Sequence, residues 1–149
     1  MKEKNFKTTI RHLEKGNTYL INLSSKFIKQ NKLLNAKELF FYESNKNIYL
    51  SLTKPNVKNF HSRKIQSFPN SFCKRVPFPI QFRKKYIIAG NQQITLIQQD
   101  EETYLCEFKF PIVLRSEFME RNSEIILKEI SHIQNYLEQV KNNFVNKGD

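Results

Sequence analysis

Sliding the chain over itself by 55 residues brings Ile21–Leu52, INLSSKFIKQNKLLNAKELFFYESNKNIYLSL, over Val76–Glu107, VPFPIQFRKKYIIAGNQQITLIQQDEETYLCE. Apolar positions then fall on apolar positions: Ile21 on Val76, Leu23 on Phe78, Phe27 on Phe82, Leu33 on Ile88, Leu39 on Ile94 and Phe41 on Leu96. Tyr49 on Tyr104 and Leu50 on Leu105 continue the series without a gap. A repeat restricts the fold strongly, because each copy is one supersecondary unit that must bury its apolar face against another.

Each copy reads alike. A strand with alternating residues, Tyr19–Leu23 or Lys74–Phe78, ends at Ser24 or Pro79. Ser caps a helix, and Pro suits a first helical turn where its missing donor is not needed. Two prolines in VPFPIQFRKKYII thus mark a strand-to-helix corner rather than the interior of a sheet. The helix that follows is about two turns long and buries Phe27 and Leu33, or Phe82 and Ile88. Its other face carries Lys26, Lys29 and Lys32, or Arg83, Lys84 and Lys85. A hairpin closes each unit: Glu38–Glu43 with Ile48–Leu52 turning at SNKN, then Gln93–Gln98 with Thr103–Phe108 turning at QDEE. Thr53–Gln66 lies between the copies as a basic linker, or as an arm able to track a phosphate backbone. Phe60 there anchors the linker to the core or stacks on a base.

From Met119 onward the periodicity changes. Ile126, Ile130, Ile133, Leu137, Val140 and Phe144 are spaced 4, 3, 4, 3 and 4 residues apart, which is an a/d seam. Asn122 and Ser123 are candidate caps, and Glu124 and Lys128 form a favourable i,i+4 pair. This seam is the expected oligomerisation surface, though such a helix could also lie across the body.

The charge is uneven. Residues 1–64 carry fourteen Lys/Arg against four Asp/Glu, residues 65–113 six against four, and residues 114–149 five against six. A basic body with a near-neutral appendage suits a polyanion-binding domain joined to an assembly element; a Lys-rich composition without any binding role is the alternative. Catalysis finds no support. His12, His61 and His132 are scattered, no His/Cys/Asp cluster has metal-ligand spacing, and three glycines build no phosphate loop. No enzyme, cofactor or metal is expected. Cys73 and Cys106 form no C-x-x-C pair, and read as free thiols or one disulfide. No signal peptide and no eighteen-residue apolar run are visible, so a cytoplasmic protein without membrane contact is expected.

Lys15–Pro55, KGNTYLINLSSKFIKQNKLLNAKELFFYESNKNIYLSLTKP, resembles the swapped-hairpin AbrB/SpoVT and MazE-type domain. Gly16, Asn17 and Thr18 match its turn, and Leu23–Ser24 stand where Ile-Pro is usual. The second copy keeps the proline as Phe78–Pro79, replaces the turn glycine with Pro69, and needs two extra residues before its strand. Two such halves in one chain are similar to MraZ, although the Asp-x-x-x-Arg signature of MraZ is absent from both.

The resemblance implies a mostly β fold with short helices. It would be a swapped-hairpin pseudo-dimeric barrel made of repeats at 8–55 and 63–110, followed by the amphipathic helix at 116–146. It implies a DNA-binding transcriptional regulator, nucleoid-associated, that presents basic residues at its first turns and strand–helix corners. By position the first copy offers Arg11, His12, Lys15, Asn17 and Lys26. The second offers Arg63, Lys64, Asn70, Lys74, Arg75, Arg83 and Lys84. Lys and Arg would neutralise phosphates, while Arg11, Asn17, Arg75 and Arg83 have the donors to read base edges. RNA instead of duplex DNA, or an antitoxin-like role with a protein partner at the C-terminal segment, remain open alternatives.

Overall fold

The computed structural model describes residues 3–68 and 72–147, with the side chains at 121, 124 and 144–147 outside the description. The chain divides into two units, Met1–Ile112 and Val113–Asp149.

In the first unit, alternation builds the strands. NFKTTIRHL forms β1 (Asn5–Leu13), which buries Phe6 and Ile10 and exposes Lys7, Thr9 and Arg11. Gly16 and Asn17, both at positive φ, turn the chain into β2 (Thr18–Leu23). Ser24 then caps α1 (Ser25–Gln30) by accepting from the Phe27 N–H at 3.2 Å, a contact worth about 1 kcal/mol. β3 (Glu38–Ser44) and β4 (Asn47–Ser51) form a hairpin around Asn45 and Lys46, both at positive φ as a tight two-residue turn requires.

The second copy repeats this order. β5 (His61–Lys64) and β6 (Gln66–Ser67) occupy the place of β1, followed by β7 (Lys74–Pro77), α2 (Ile80–Lys85), β8 (Tyr86–Ile87), β9 (Gln92–Gln98) and β10 (Thr103–Phe108). Pro79 is the residue at the α2 N-cap, where the strand ends. The end of the expected linker is therefore a structural element: His61–Lys64 and Gln66–Ser67 belong to the sheet, while residues 53–60 form no strand or helix. Phe60 packs edge-on against Phe40 at 5.9 Å, which places it as an anchor.

The sheet has nine strands in the order β5-β3-β4-β10-β9-β1-β2-β7-β6. Its two end strands, β5 and β6, are separated only by Ile65, whose N–H donates to the Lys37 carbonyl at 2.8 Å. One continuous segment thus touches both edges and nearly closes the sheet into a barrel, which leaves little unpaired edge. The pairings recur at the repeat spacing. Thr8 lies opposite Ile94 and, 55 residues on, Arg63 lies opposite Leu39. His12 pairs with Tyr19 as Ser67 pairs with Lys74. β2 with β7, and β4 with β10, join the two copies.

The core shows the same correspondence. Phe6 meets Phe27 edge-on, with centroids 5.1 Å apart at 88°, and His61 meets Phe82 at 5.3 Å and 86°. Each buried aromatic or aliphatic side chain removes enough apolar surface from water to contribute about 1.5–3 kcal/mol. The gap-free alignment fails at one place. Ile48 and Leu50 are buried, and so are Tyr104 and Cys106, whereas Tyr49 and Leu105 are only partly covered. Leu50 lies opposite Phe41 but Cys106 lies opposite Leu96, so the second hairpin is shifted by one residue. The cause is its longer turn over residues 99–102. Since side chains alternate, that one-residue shift decides which of them reach the core.

The second unit contains the helix α3 (Arg115–Lys147). It begins before the expected caps: Asn122 bonds back to the Phe118 carbonyl at 2.8 Å and Ser123 to that of Glu120 at 2.9 Å, both inside the helix. Ile126, Ile130, Ile133, Leu137 and Val140 are exposed at 45–58 %; the Phe144 side chain lies outside the described residues.

Candidate nucleic-acid interface

The β1–β2 hairpin carries the best-defined polar cluster. Arg83 reaches from α2 to the turn, donating to the Asn17 carbonyl at 2.8 Å and to Asn17 Oδ1 at 3.1 Å. Its guanidinium lies 3.9 Å over the Tyr19 ring, an arrangement that suits the planar, delocalised charge of Arg. Asn17 Oδ1 also meets His12 Nε2 at 2.7 Å, and the His12 ring stands edge-on to Tyr19 at 4.9 Å. Behind them the Tyr19 hydroxyl donates to the Ile88 carbonyl at 3.1 Å, and the His12 N–H donates to Asn91 Oδ1 at 3.1 Å. Gly90 makes this approach possible, since a Cβ there would come within 2.6 Å of His12 Cβ. The turn is therefore clamped from the other half of the chain.

A polar row crosses the outer face beside it. Asn22 of β2 donates to Thr9 Oγ1 of β1 at 3.1 Å and lies opposite Arg75 of β7. Arg75 in turn lies opposite Gln66 of β6 and donates to its Oε1 at 2.8 Å. Arg11, exposed on the same face of β1 as Thr9, stands two residues along and opposite Leu20. Adjacent strands thus hold one guanidinium, two amides and a hydroxyl in one row, with the Arg11 guanidinium beside it on the same face of β1.

The remaining residues expected at the interface are distributed around this hairpin and the helices. Lys15 and Lys84 are exposed. Arg63 of β5 donates to the Ser62 carbonyl and to Gln81 Oε1 of α2, each at 2.7 Å, and Lys64 is exposed on the same strand. Lys26 is ion-paired with Glu3. Asn70 lies outside the described residues. Lys74 departs from its expected role: it is 6 % exposed, and its ammonium is spent on the Leu33 and Leu34 carbonyls. Its inward direction follows from strand alternation, which puts Arg75 outside and Lys74 inside. Arg83 also departs from free base reading, because its fork is already engaged with Asn17.

Tyr19, Asn22, Gln66 and Asn91 complete the arrangement and were not apparent in the sequence. Asn22 alone left a signal, as the one polar residue among apolar neighbours in YLINL.

A small cavity lies between α2, β3 and β5, lined in part by Glu43, His61, Gln81 and Lys85. Burial alone would raise the Glu43 carboxyl, but hydrogen bonds from Lys85 and Tyr86 and the Lys85 charge outweigh it and hold the group below its usual range. His61 is held low by burial and by the nearby Arg63 charge. The Cys106 thiol is pushed up to about 12 by burial, which makes it an inert core group. Among the described residues no three His, Cys, Asp or Glu side chains gather as a metal site, and no helix is long and apolar enough to cross a membrane.

No family model, curated protein or solved structure matches the chain.

Proposed function

We propose that the chain is a DNA-binding transcriptional regulator of the AbrB-like, swapped-hairpin type, and that it approaches duplex DNA with the β1–β2 hairpin and the row continuing through β7 and β6. The observation that carries this reading is the alignment of Arg11, Asn22 and Arg75 on one outer face, next to a turn held in shape by Arg83. Guanidiniums and amides are the groups that contact phosphates and base edges, and pre-setting their backbone lowers the entropy lost on binding. Here Arg83 is a positioning residue, while Lys15, Asn17, Arg11 and Arg75 make the contacts. The net charge of residues 1–64 supplies the long-range attraction.

In this reading α3 joins copies of the chain through Ile126, Ile130, Ile133, Leu137 and Val140. A contiguous exposed apolar stripe of this kind favours a partner, and the near-neutral segment does not oppose self-pairing.

The test compares full-length protein on a 20-base-pair duplex and on a structured RNA hairpin across a salt series. Tighter binding to the duplex, with log affinity falling steeply against log salt, is expected. Equal or tighter binding to the RNA would replace duplex DNA by RNA as the target.

A further inference from the structure

A cleft of about 610 Å³ opens where the two ends of the sheet meet, between the loop that follows α1 and the strands β5, β6 and β7. That volume lies in the range of small-molecule sites, about 300–1,000 Å³. Leu34, Ala36 and Ile65 give the cleft apolar walls, and Lys37, Lys64 and Lys74 bring three ammonium groups to it. Against them stands the Glu38 carboxylate, which lies opposite Lys64 in the sheet.

The repeat gives this place a counterpart. Ser67, Lys74 and Leu33 stand 55 residues from His12, Tyr19 and Ile88. The rungs correspond, with His12 opposite Tyr19 and Ser67 opposite Lys74. The Tyr19 hydroxyl donates to the Ile88 carbonyl at 3.1 Å, and the Lys74 ammonium donates to the Leu33 carbonyl at 3.4 Å and to that of Leu34. In the first half the chain fills the place itself: the His12 ring stands edge-on to Tyr19 at 4.9 Å, and Gly90 packs against both. In the second half Ser67 stands in place of the His12 ring and a lysine stem in place of the Tyr19 ring, and the cleft is open.

Lys74 is 6 % exposed, and two carbonyl oxygens satisfy two of its three N–H groups without neutralising its charge. Among the described residues no carboxylate pairs with it. A buried ammonium without a counter-charge is costly, so an anion in the cleft would be stabilised there. Lys37 and Lys64 are exposed and hold no ion pair among the described residues. Three ammonium groups against one carboxylate match a dianion better than a single negative charge, and lysine is a common point-charge partner of phosphate.

We propose that this cleft binds a small phosphate monoester, its phosphate on Lys74, Lys64 and Lys37 and its apolar body against Leu34, Ala36 and Ile65. The site is separate from the outer face of β1 and β7 and does not depend on the nucleic-acid reading.

The test titrates full-length protein calorimetrically with phenyl phosphate at about 0.15 M salt, where attraction between exposed charges is screened beyond about 8 Å. One saturable site per chain with a Kd below about 1 mM is expected. Inorganic phosphate, which lacks the apolar body, and benzyl alcohol, which lacks the charge, should each bind at least about tenfold more weakly. Lys74→Met should weaken phenyl phosphate about tenfold or more, the scale of a hydrogen bond to a charged group. Lys37→Gln with Lys64→Gln alters only exposed side chains; it should keep the melting temperature and weaken binding about fivefold or more. Lys7→Gln with Lys109→Gln removes the same charge elsewhere and should bind as wild type does. Absence of saturable binding, inorganic phosphate binding as tightly, a folded Lys74→Met with wild-type affinity, or equal losses in the two lysine pairs would each overturn the site. If Lys74→Met does not fold, the comparison of the two lysine pairs decides. No nucleic acid enters the measurement, so duplex binding stands or falls separately.

Discussion

Ile21 lies directly opposite Val76, and the two residues are also 55 positions apart, the spacing of the repeat. This strand pair, β2 with β7, is one of those that join the two copies, and it is centred on residues that correspond within them. Neither side chain has measurable exposure. Because strands of each copy pair with strands of the other, the copies should not unfold separately. Ile21→Ala should cost about 2–5 kcal/mol, the range for truncating a buried isoleucine, and urea should still unfold the body in one cooperative transition. Two separate transitions would contradict a shared core.

The Arg83–Asn17 clamp predicts a local effect. Arg83→Ala should lower global stability by only about 1 kcal/mol, since the bonds are exposed, but should speed amide hydrogen exchange in the β1–β2 turn. Affinity for duplex DNA should fall with it. Unchanged exchange in that turn would mean that Arg83 does not position it.

Much of this architecture was legible in the sequence, for reasons that differ between elements. The strand–helix corners at Ser24 and Pro79 and the hairpins announced themselves through local chemistry and period-two alternation. The role of residues 61–67 did not, because a strand that pairs with two distant edges carries only a weak pattern of its own, HSRKIQS. The one-residue offset of β10 was hidden because Tyr49 with Tyr104 and Leu50 with Leu105 match as well by type as the true partners do. At the candidate interface, residue type identified Arg11 and Arg75 as donors. It could not reveal that Lys74 turns inward or that Arg83 spends its fork on Asn17, since both depend on contacts between distant segments.

His61 occupies the place that Phe6 holds in the first copy, and its lowered pKa makes stability depend on pH. The unfolded chain binds the His61 proton below pH 6.5 while the folded chain still resists it, so stability should fall as pH drops from 6.5 toward the lower folded value. Glu43 acts at more acid pH, below 4.5, where loss of its charge removes the Lys85 pair. His61→Phe, which restores the ring pair seen at Phe6 and Phe27, should flatten the pH dependence between 5.5 and 7. Chemical denaturation at several pH values measures this; an unaltered slope would assign the dependence to another group.

The exposed seam of α3 predicts assembly. Ile133→Asp with Leu137→Asp should convert an oligomer into a folded monomer, seen by sedimentation, with an unchanged melting temperature for the body. Its affinity for duplex DNA should drop mainly through lost multivalency. A folded oligomer of wild-type size would remove α3 from the assembly surface.

In the proposed complex Arg11 and Arg75, on the outer face of β1 and β7, neutralise DNA phosphates. The decisive measurement is the affinity of full-length protein for duplex DNA against salt, with and without Arg11→Ala and Arg75→Ala. Weaker binding to every sequence is expected, with a log–log salt slope shallower by about one for each phosphate contact removed. An unchanged slope and affinity in the folded double variant would contradict it.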